Sequence, residues 1–580
     1  MNFKYIFSVS YKKHSLIMSL AFFTFTGCVD ADFASIYHGD NFYKSQSDAE
    51  LALVGAYASL RNASNFVVLA AYSDNSFSSK SGQPAVVGAN QHASTTNTVQ
   101  EAWNSGYSAI NRCNEILKYI PGIKFDDANK KEQYLAEAHF LRAKYYFELV
   151  RLYGENDDTQ LPYQIEPTEN KEQAYAETRS VQQIYELIIE DLEYAGGKAE
   201  NGKDRLPIFQ NVKSEIGRAT KGASQALLAN VHLTRQNWEQ AIQYANDVIN
   251  SGQYRLISYD KLFNIDYERE AYNEVIFGIQ HVVNASMKEQ GSSYAHEFCP
   301  QGINIDGSPL TGKNNVNNVG QGYGAILFQN WFIRFFEEDR SSLGYCATND
   351  VEGTVITGAD EFIFYKDYRI ERSFFRYYMT GDVVKPNMIQ ACYPVPEAPA
   401  NKYHVSLKKY IDPKGIDKNC NGNDFFMIRF SEMYLILAEA YNELGDYAKA
   451  TKAIDVVRQR ARMADGQTQR EWPKDFSADS PYFMGRTLSQ DEFRWAIFME
   501  RGLEFVGEGK RFYDMKRMKY GGMPIYDYMK NNYLPNIAAE NALFINEKST
   551  VLAERKKYLP IPKIELDRNT NPNLKQNSGY

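Results

Sequence analysis

The chain has 580 residues, 44% of them hydrophobic and 23% charged, with a formal net charge of −8. Ordinary globular composition excludes a wholly disordered chain, a collagen-like chain and a disulfide miniprotein, and the lack of any basic excess argues against a nucleic-acid partner. Tyrosine is abundant, at 42 copies against 5 Trp, and its flat apolar face with a polar edge suits wet binding surfaces as well as cores.

Lys4, Lys12 and Lys13 precede an apolar run from Ser15 to Thr26, and no acid occurs before Asp30. That pattern reads as a secretory signal. The run is too short for a membrane-spanning helix, which needs roughly 20 residues. It ends Phe25-Thr26-Gly27-Cys28, small residues before a cysteine that resemble a bacterial lipobox. Residues 1–27 are therefore expected to be removed and Cys28 to carry an outer-membrane lipid anchor. Five further cysteines (Cys113, Cys299, Cys346, Cys392 and Cys420) are widely spaced with no C-x-x-C, which supports neither a thiolate metal site nor a redox motif.

Helical periodicity comes next. Trp103, Tyr107, Ile110, Asn114 and Leu117 recur at three- and four-residue steps, predicting a helix over 99–120 stopped by Pro121-Gly122. Leu135, Ala138, Leu141, Tyr145, Leu149 and Leu152 predict a second over 130–153, ended by Gly154. A third is expected over 178–195, capped by Thr178 or Ser180. Residues 228–248, with Leu228, Ala229, Ala241 and Ala245, fit a tetratricopeptide-like helix pair, although His232 stands where an aromatic is usual. Residues 437–457 fit it better, through Leu437, Ala438, Tyr441, Gly445, Tyr447 and Ala450. So far apart, the two copies do not read as a tandem array. Between them, residues 253–425 are rich in Gly, Asn, Tyr and Phe, with short β-like runs at Glu274–Gln280 and Glu361–Tyr365. Long irregular segments in a compact chain are usually functional or disordered, and the aromatic density favours function. The expected organisation is a signal at 1–27, an N-terminal helical region at 28–252, a loop- and aromatic-rich region at 253–425 and a C-terminal helical region at 426–580. The expected fold is mainly α: tetratricopeptide-like pairs as scaffold, a loop-rich layer beside them and little β.

Several blocks, taken in order, resemble the SusD/RagB family of Bacteroidetes outer-membrane lipoproteins: Ala136–Gly154, Arg218–Ala229, Ile428–Ala440, Glu500–Phe505 with Glu508–Asp514, and a tail of Leu559–Pro562, Glu565, Asn573 and Gln576–Tyr580. The resemblance runs from the lipobox to the last residue. It implies a cell-surface protein that captures glycans, or peptides in RagB-like members, and delivers them to a SusC-type TonB-dependent transporter. It implies binding rather than catalysis, and no cofactor. Sugar rings stack on aromatic faces while their hydroxyls need amide and carboxylate partners, and the middle region supplies both.

The chemistry-bearing candidates are few. Glu500 and Glu504 lie one helical turn apart; an acid pair could serve glycoside hydrolysis, which needs two carboxyls at a defined separation across a cleft, but a charged, ion-paired helix explains them more simply. H-E-x-x-H and G-x-S-x-G do not occur. Gly307–Asn314 approaches a phosphate-binding loop, but Asn314 replaces the required Ser/Thr. Asp417, Asn419 and Asn421 open like a calcium loop, yet Ile428 stands where the bidentate Glu belongs; a polar turn is the simpler reading, and no metal is expected. For ligand contact, Tyr323 is preferred, because Gly320, Gly322 and Gly324 leave little to cover it. Asp74 and Asn75 sit in the N-terminal loop that in the family often faces the ligand. Trp331, Tyr294 and Tyr345 follow as further candidates. Trp103 is expected in the core.

Overall fold

The computed structural model describes residues 42–61, 73–78, 92–299, 323–333, 367–386 and 406–580, apart from gaps within these ranges, the longest at 477–487 and 537–556. Among the described residues, the α-helices of seven or more residues are α1 (Gln46–Ala58), α2 (Asn97–Tyr119), α3 (Ala128–Tyr153), α4 (Val181–Gly196), α5 (Lys221–Thr234), α6 (Trp238–Asn250), α7 (Phe430–Glu443), α8 (Tyr447–Ala461), α9 (Gln490–Glu504) and α10 (Arg511–Arg517). The expected helices at 99–120 and 130–153 are α2 and α3. The third begins at Val181, because Ser180 forms a capping box with Gln183, while Thr178 lies in a short strand paired with Gln160–Pro162. Reciprocal side-chain bonds of this kind satisfy two otherwise orphaned backbone donors.

Both tetratricopeptide-like pairs are present, as α5–α6 and α7–α8. Ala229, Ala241, Ala245, Ala438 and Ala450 are all fully buried, and such small side chains let paired helices approach closely. The turn of the second pair uses Gly445 at φ +78°, and in the first pair Gln236 takes the left-handed conformation at φ 60°. His232, in the usual aromatic position, still offers a flat ring and stacks on Tyr244 at 5.4 Å and 9°.

The two pairs are neighbours in space. Helices α2 to α8 pack in chain order, α6 directly against α7, so the array is tandem although the sequence interrupts it. What closes the gap is a strand pair, β2 (Val275–Ile279) with β4 (Phe425–Arg429), antiparallel from Val275↔Arg429 to Ile279↔Phe425. Both strands are buried throughout, and β4 runs straight into α7. A second ladder joins β1 (Ser76–Ser78) to β3 (Ile326–Phe328), tying the N-terminal loop to the insert. Among the described residues, sheet occurs only as such two-stranded pieces. The fold is mainly α.

Candidate functional site

Tyr323 is 41% exposed. Its ring stacks on His296, with centroids 5.5 Å apart and planes at 14°, and its amide donates to the His296 carbonyl at 2.7 Å. His296 belongs to a one-turn helix, Tyr294–Phe298. Gly324 then turns the chain at φ +60°, and Ala325 donates to Glu297 O at 2.7 Å before β3 begins. Tyr323 is thus a half-open aromatic face with a second ring behind it, mounted between a helix and a strand.

At the other end of the strand pair Ser76–Ser78 with Ile326–Phe328 lies a buried frame. Arg511 donates from Nε and Nη2 to the two carboxylate oxygens of Asp74, both at 2.8 Å. Trp331 Nε1 donates to the Asp74 carbonyl at 3.2 Å, and Gln329 N to the Asn75 carbonyl at 2.8 Å. Asn75 Oδ1 accepts from Ser73 Oγ at 2.9 Å. Asp74, Asn75 and Trp331 are therefore brought together, as their shared candidacy implied, but all are buried. Asp74 is engaged by a buried guanidinium rather than presented at the surface, and an unpaired buried charge there would be far costlier than a lost surface contact. Tyr294 lies inside as well. It is fully buried, with its ring against Tyr410 at 5.4 Å and Phe425 at 5.2 Å, and burial pushes its hydroxyl pKa far up. Trp103 is core, edge-on to Tyr153 at 5.0 Å. Tyr345, Cys28, Asn419 and residues 307–314 lie outside the described residues. His296 went unnoticed in the sequence because its meeting with Tyr323 is tertiary and leaves no periodic signal.

The calcium-loop candidate is a turn stapled by Asn421. Its amide donates to the carbonyls of Ser292 at 2.9 Å, Asp417 at 3.4 Å and Lys418 at 3.4 Å, so its nitrogen, not its oxygen, faces the loop.

Glu500 and Glu504 sit in a buried ionic hub rather than a cleft. Arg369 bonds Glu500 at 2.7 Å and Glu504 at 3.2 Å. Arg458 bonds Glu500 at 2.6 Å. Arg429 reaches Glu274 at 2.7 Å, Glu504 at 2.8 Å and Glu508 at 2.9 Å, and Arg460 joins Glu274 to Glu504. Burial alone would raise the Glu504 carboxyl, but Arg460, Arg429 and Arg369 hold it far below the usual range. Lys409, bonded to Glu508 at 2.8 Å, is lowered by burial to about 8. A general acid needs a raised pKa, and both carboxylates here are held down. The open cleft between α3, α5 and residues 508–514 is likewise an ionic lattice. In it Glu148 pairs with Lys144 and Arg151, Glu432 with Lys510, and Asp514 with Arg501 and Arg517.

Comparison with known proteins bears on this arrangement. Two family models match: one described as "SusD family" over residues 273–580, and one described as "Starch-binding associating with outer membrane" over residues 41–233. A curated relative, SusD-like protein P2 of Formosa agariphila, is 25% identical over 98% of this chain and 100% of its own length. Among solved structures, a SusD homolog from Bacteroides thetaiotaomicron is similar with a TM-score of 0.68 at 21% identity, covering 93% of this chain and 98% of that one. A laminarin binding SusD-like protein is similar with a TM-score of 0.62 at 21% identity, covering 93% and 100%. Surface glycan-binding protein A from Bacteroides fluxus matches with a TM-score of 0.62 at 19% identity, covering 93% and 100%.

Proposed function

The chain belongs to the SusD family, and from that premise we propose that it captures glycans at the cell surface and delivers them to a SusC-type TonB-dependent transporter, held at the outer membrane by lipid on Cys28. Two similar folds are named for laminarin or glycan binding, and one matching model for starch, which supports a carbohydrate ligand. The observation that carries the reading is the Tyr323–His296 stack: an exposed ring already backed by another is held flat, and a sugar's C–H face can lie on it. Catalysis is not proposed, because Glu500 and Glu504 are locked in ion pairs. In this reading the loop-rich region 253–425 carries specificity, and the helical regions 28–252 and 426–580 carry it as a scaffold.

The test uses protein lacking residues 1–28 in affinity gels and calorimetry with laminarin and soluble starch. Retardation by at least one polysaccharide, without product release, is expected. Tyr323→Ala should fold normally and lose about tenfold or more in affinity, since each 1.4 kcal/mol is a factor of ten. Wild-type affinity in that variant would move the site elsewhere. Retention of a peptide mixture but of neither polysaccharide would favour a RagB-like peptide ligand.

A further inference from the structure

We propose that Arg511 is the positioning residue of the Tyr323 face, acting through Asp74 to fix the strand on which that face is mounted; this rests on the reading of Tyr323 as the ligand contact. Three segments meet at its guanidinium. From α10, Arg511 donates Nη1 to the Phe498 carbonyl of α9 at 2.7 Å, and its Cζ lies 3.4 Å from the Phe498 ring centroid. The same group grips both Asp74 oxygens. The Phe332 ring, 5.8 Å from Cζ, flanks it on the insert side. A Cβ on Gly502 would stand 2.8 Å from Arg511 Nη1 and 3.0 Å from Phe332 Cε2, so the glycine opens the slot through which the side chain passes.

From Asp74 the connection continues without a break. Its carbonyl takes Trp331 Nε1, and Asn75 O takes Gln329 N. The next residues pair as Ser76↔Phe328, Phe77↔Leu327 and Ser78↔Ile326, and Tyr323 follows across Gly324 and Ala325. The bidentate fork fixes angle as well as distance, which a lysine's point charge does not. A buried pair that is weak evidence for stability is better evidence for a defined register. What Arg511 contributes to binding is therefore pre-organisation of a face that it does not touch.

The test places 3-fluorotyrosine at position 323 in otherwise intact protein lacking residues 1–28 and records its fluorine resonance in Arg511→Gln, Asp74→Asn and Arg511→Lys. Arg517→Gln, which breaks ion pairs of the same helix to Glu439 and Asp514, controls for general loss of stability. The resonance should shift or broaden in the first two, change partly in Arg511→Lys and stay in place in Arg517→Gln. Affinity for whichever polysaccharide the wild type retains should fall about tenfold in Arg511→Gln, the scale of one well-placed aromatic contact. An unmoved resonance in folded Arg511→Gln or Arg511→Lys, or an equal shift in Arg517→Gln, overturns the proposal. If the wild type binds neither laminarin nor starch, the proposed function fails, while the resonance still decides whether Arg511 positions Tyr323.

Discussion

Tyr294 carries a hydroxyl that the fold buries without a hydrogen-bond partner, an arrangement that wastes desolvation and returns no bond. Tyr294→Phe keeps the ring against Tyr410 and Phe425 and should leave stability unchanged or raise it by up to about 1 kcal/mol. Chemical denaturation measures this, and calorimetry with the retained polysaccharide should find no loss of affinity. A loss would return Tyr294 to the ligand face. Gly502 behaves oppositely. Adding a methyl against Arg511 and Phe332 overpacks a slot with no slack, and Gly502→Ala should destabilise by roughly 1–3 kcal/mol in urea titration. The candidate site was legible in part for reasons that appear at this scale. Glycines around Tyr323 are a local signal of an uncovered ring. The burial of Asp74 is not local, because the guanidinium that requires it lies 437 residues away.

Between helices, small residues and one turn set the stability of the repeat pairs. Ala438 is fully buried, so Ala438→Trp should force α7 from its neighbours and cost roughly 1–3 kcal/mol or more; an unchanged melting temperature would mean that the repeat frame is misplaced. The two turns offer a matched comparison. Gly445 holds φ +78° without strain, whereas Gln236 holds φ 60° with a Cβ, at a cost of roughly 1–2 kcal/mol for an L-residue. Gly445→Ala should therefore lower the melting temperature and Gln236→Gly raise it. Helix spans and the α7–α8 frame could be read from the chain because 3.6-residue periodicity and small-residue spacing are local properties. The contact of α6 with α7 could not, because it depends on β2 finding β4 from the far end of the insert, and buried strands carry no alternation to announce their partners.

Across the whole molecule, acid should act through the buried carboxylates. Burial would raise Glu148, but Arg151 and Lys144 bring it down to about 2, and Glu500, Glu504, Glu508 and Asp514 are lowered by their own basic partners. Groups depressed on folding stabilise fully above their unfolded pKa, and that contribution disappears as pH falls toward the folded value. Stability should therefore be near its plateau above about pH 5 and decline from there toward pH 2. Asp424, raised by burial and by Glu268, and Glu268, raised by burial and by Asp412, work in the opposite direction and soften the fall without reversing it. Thermal melts at pH 7, 5 and 3 should show the decline, and a flat series would mean that the hub contributes no net stability. The β2–β4 ladder has a different consequence. By setting the first and last residues of the insert side by side, it leaves the helical array indifferent to how much chain lies between them, since doubling a closed loop costs only about 0.6 kcal/mol. So long as Arg369 and Lys409 keep their acids, β3 its pairing with β1, Trp331 its bond to Asp74 and Tyr294 its place in the core, the rest of that stretch is open to insertion, deletion and rewriting. Under the proposed function, the recognition surface can then be exchanged without rebuilding the body that presents it.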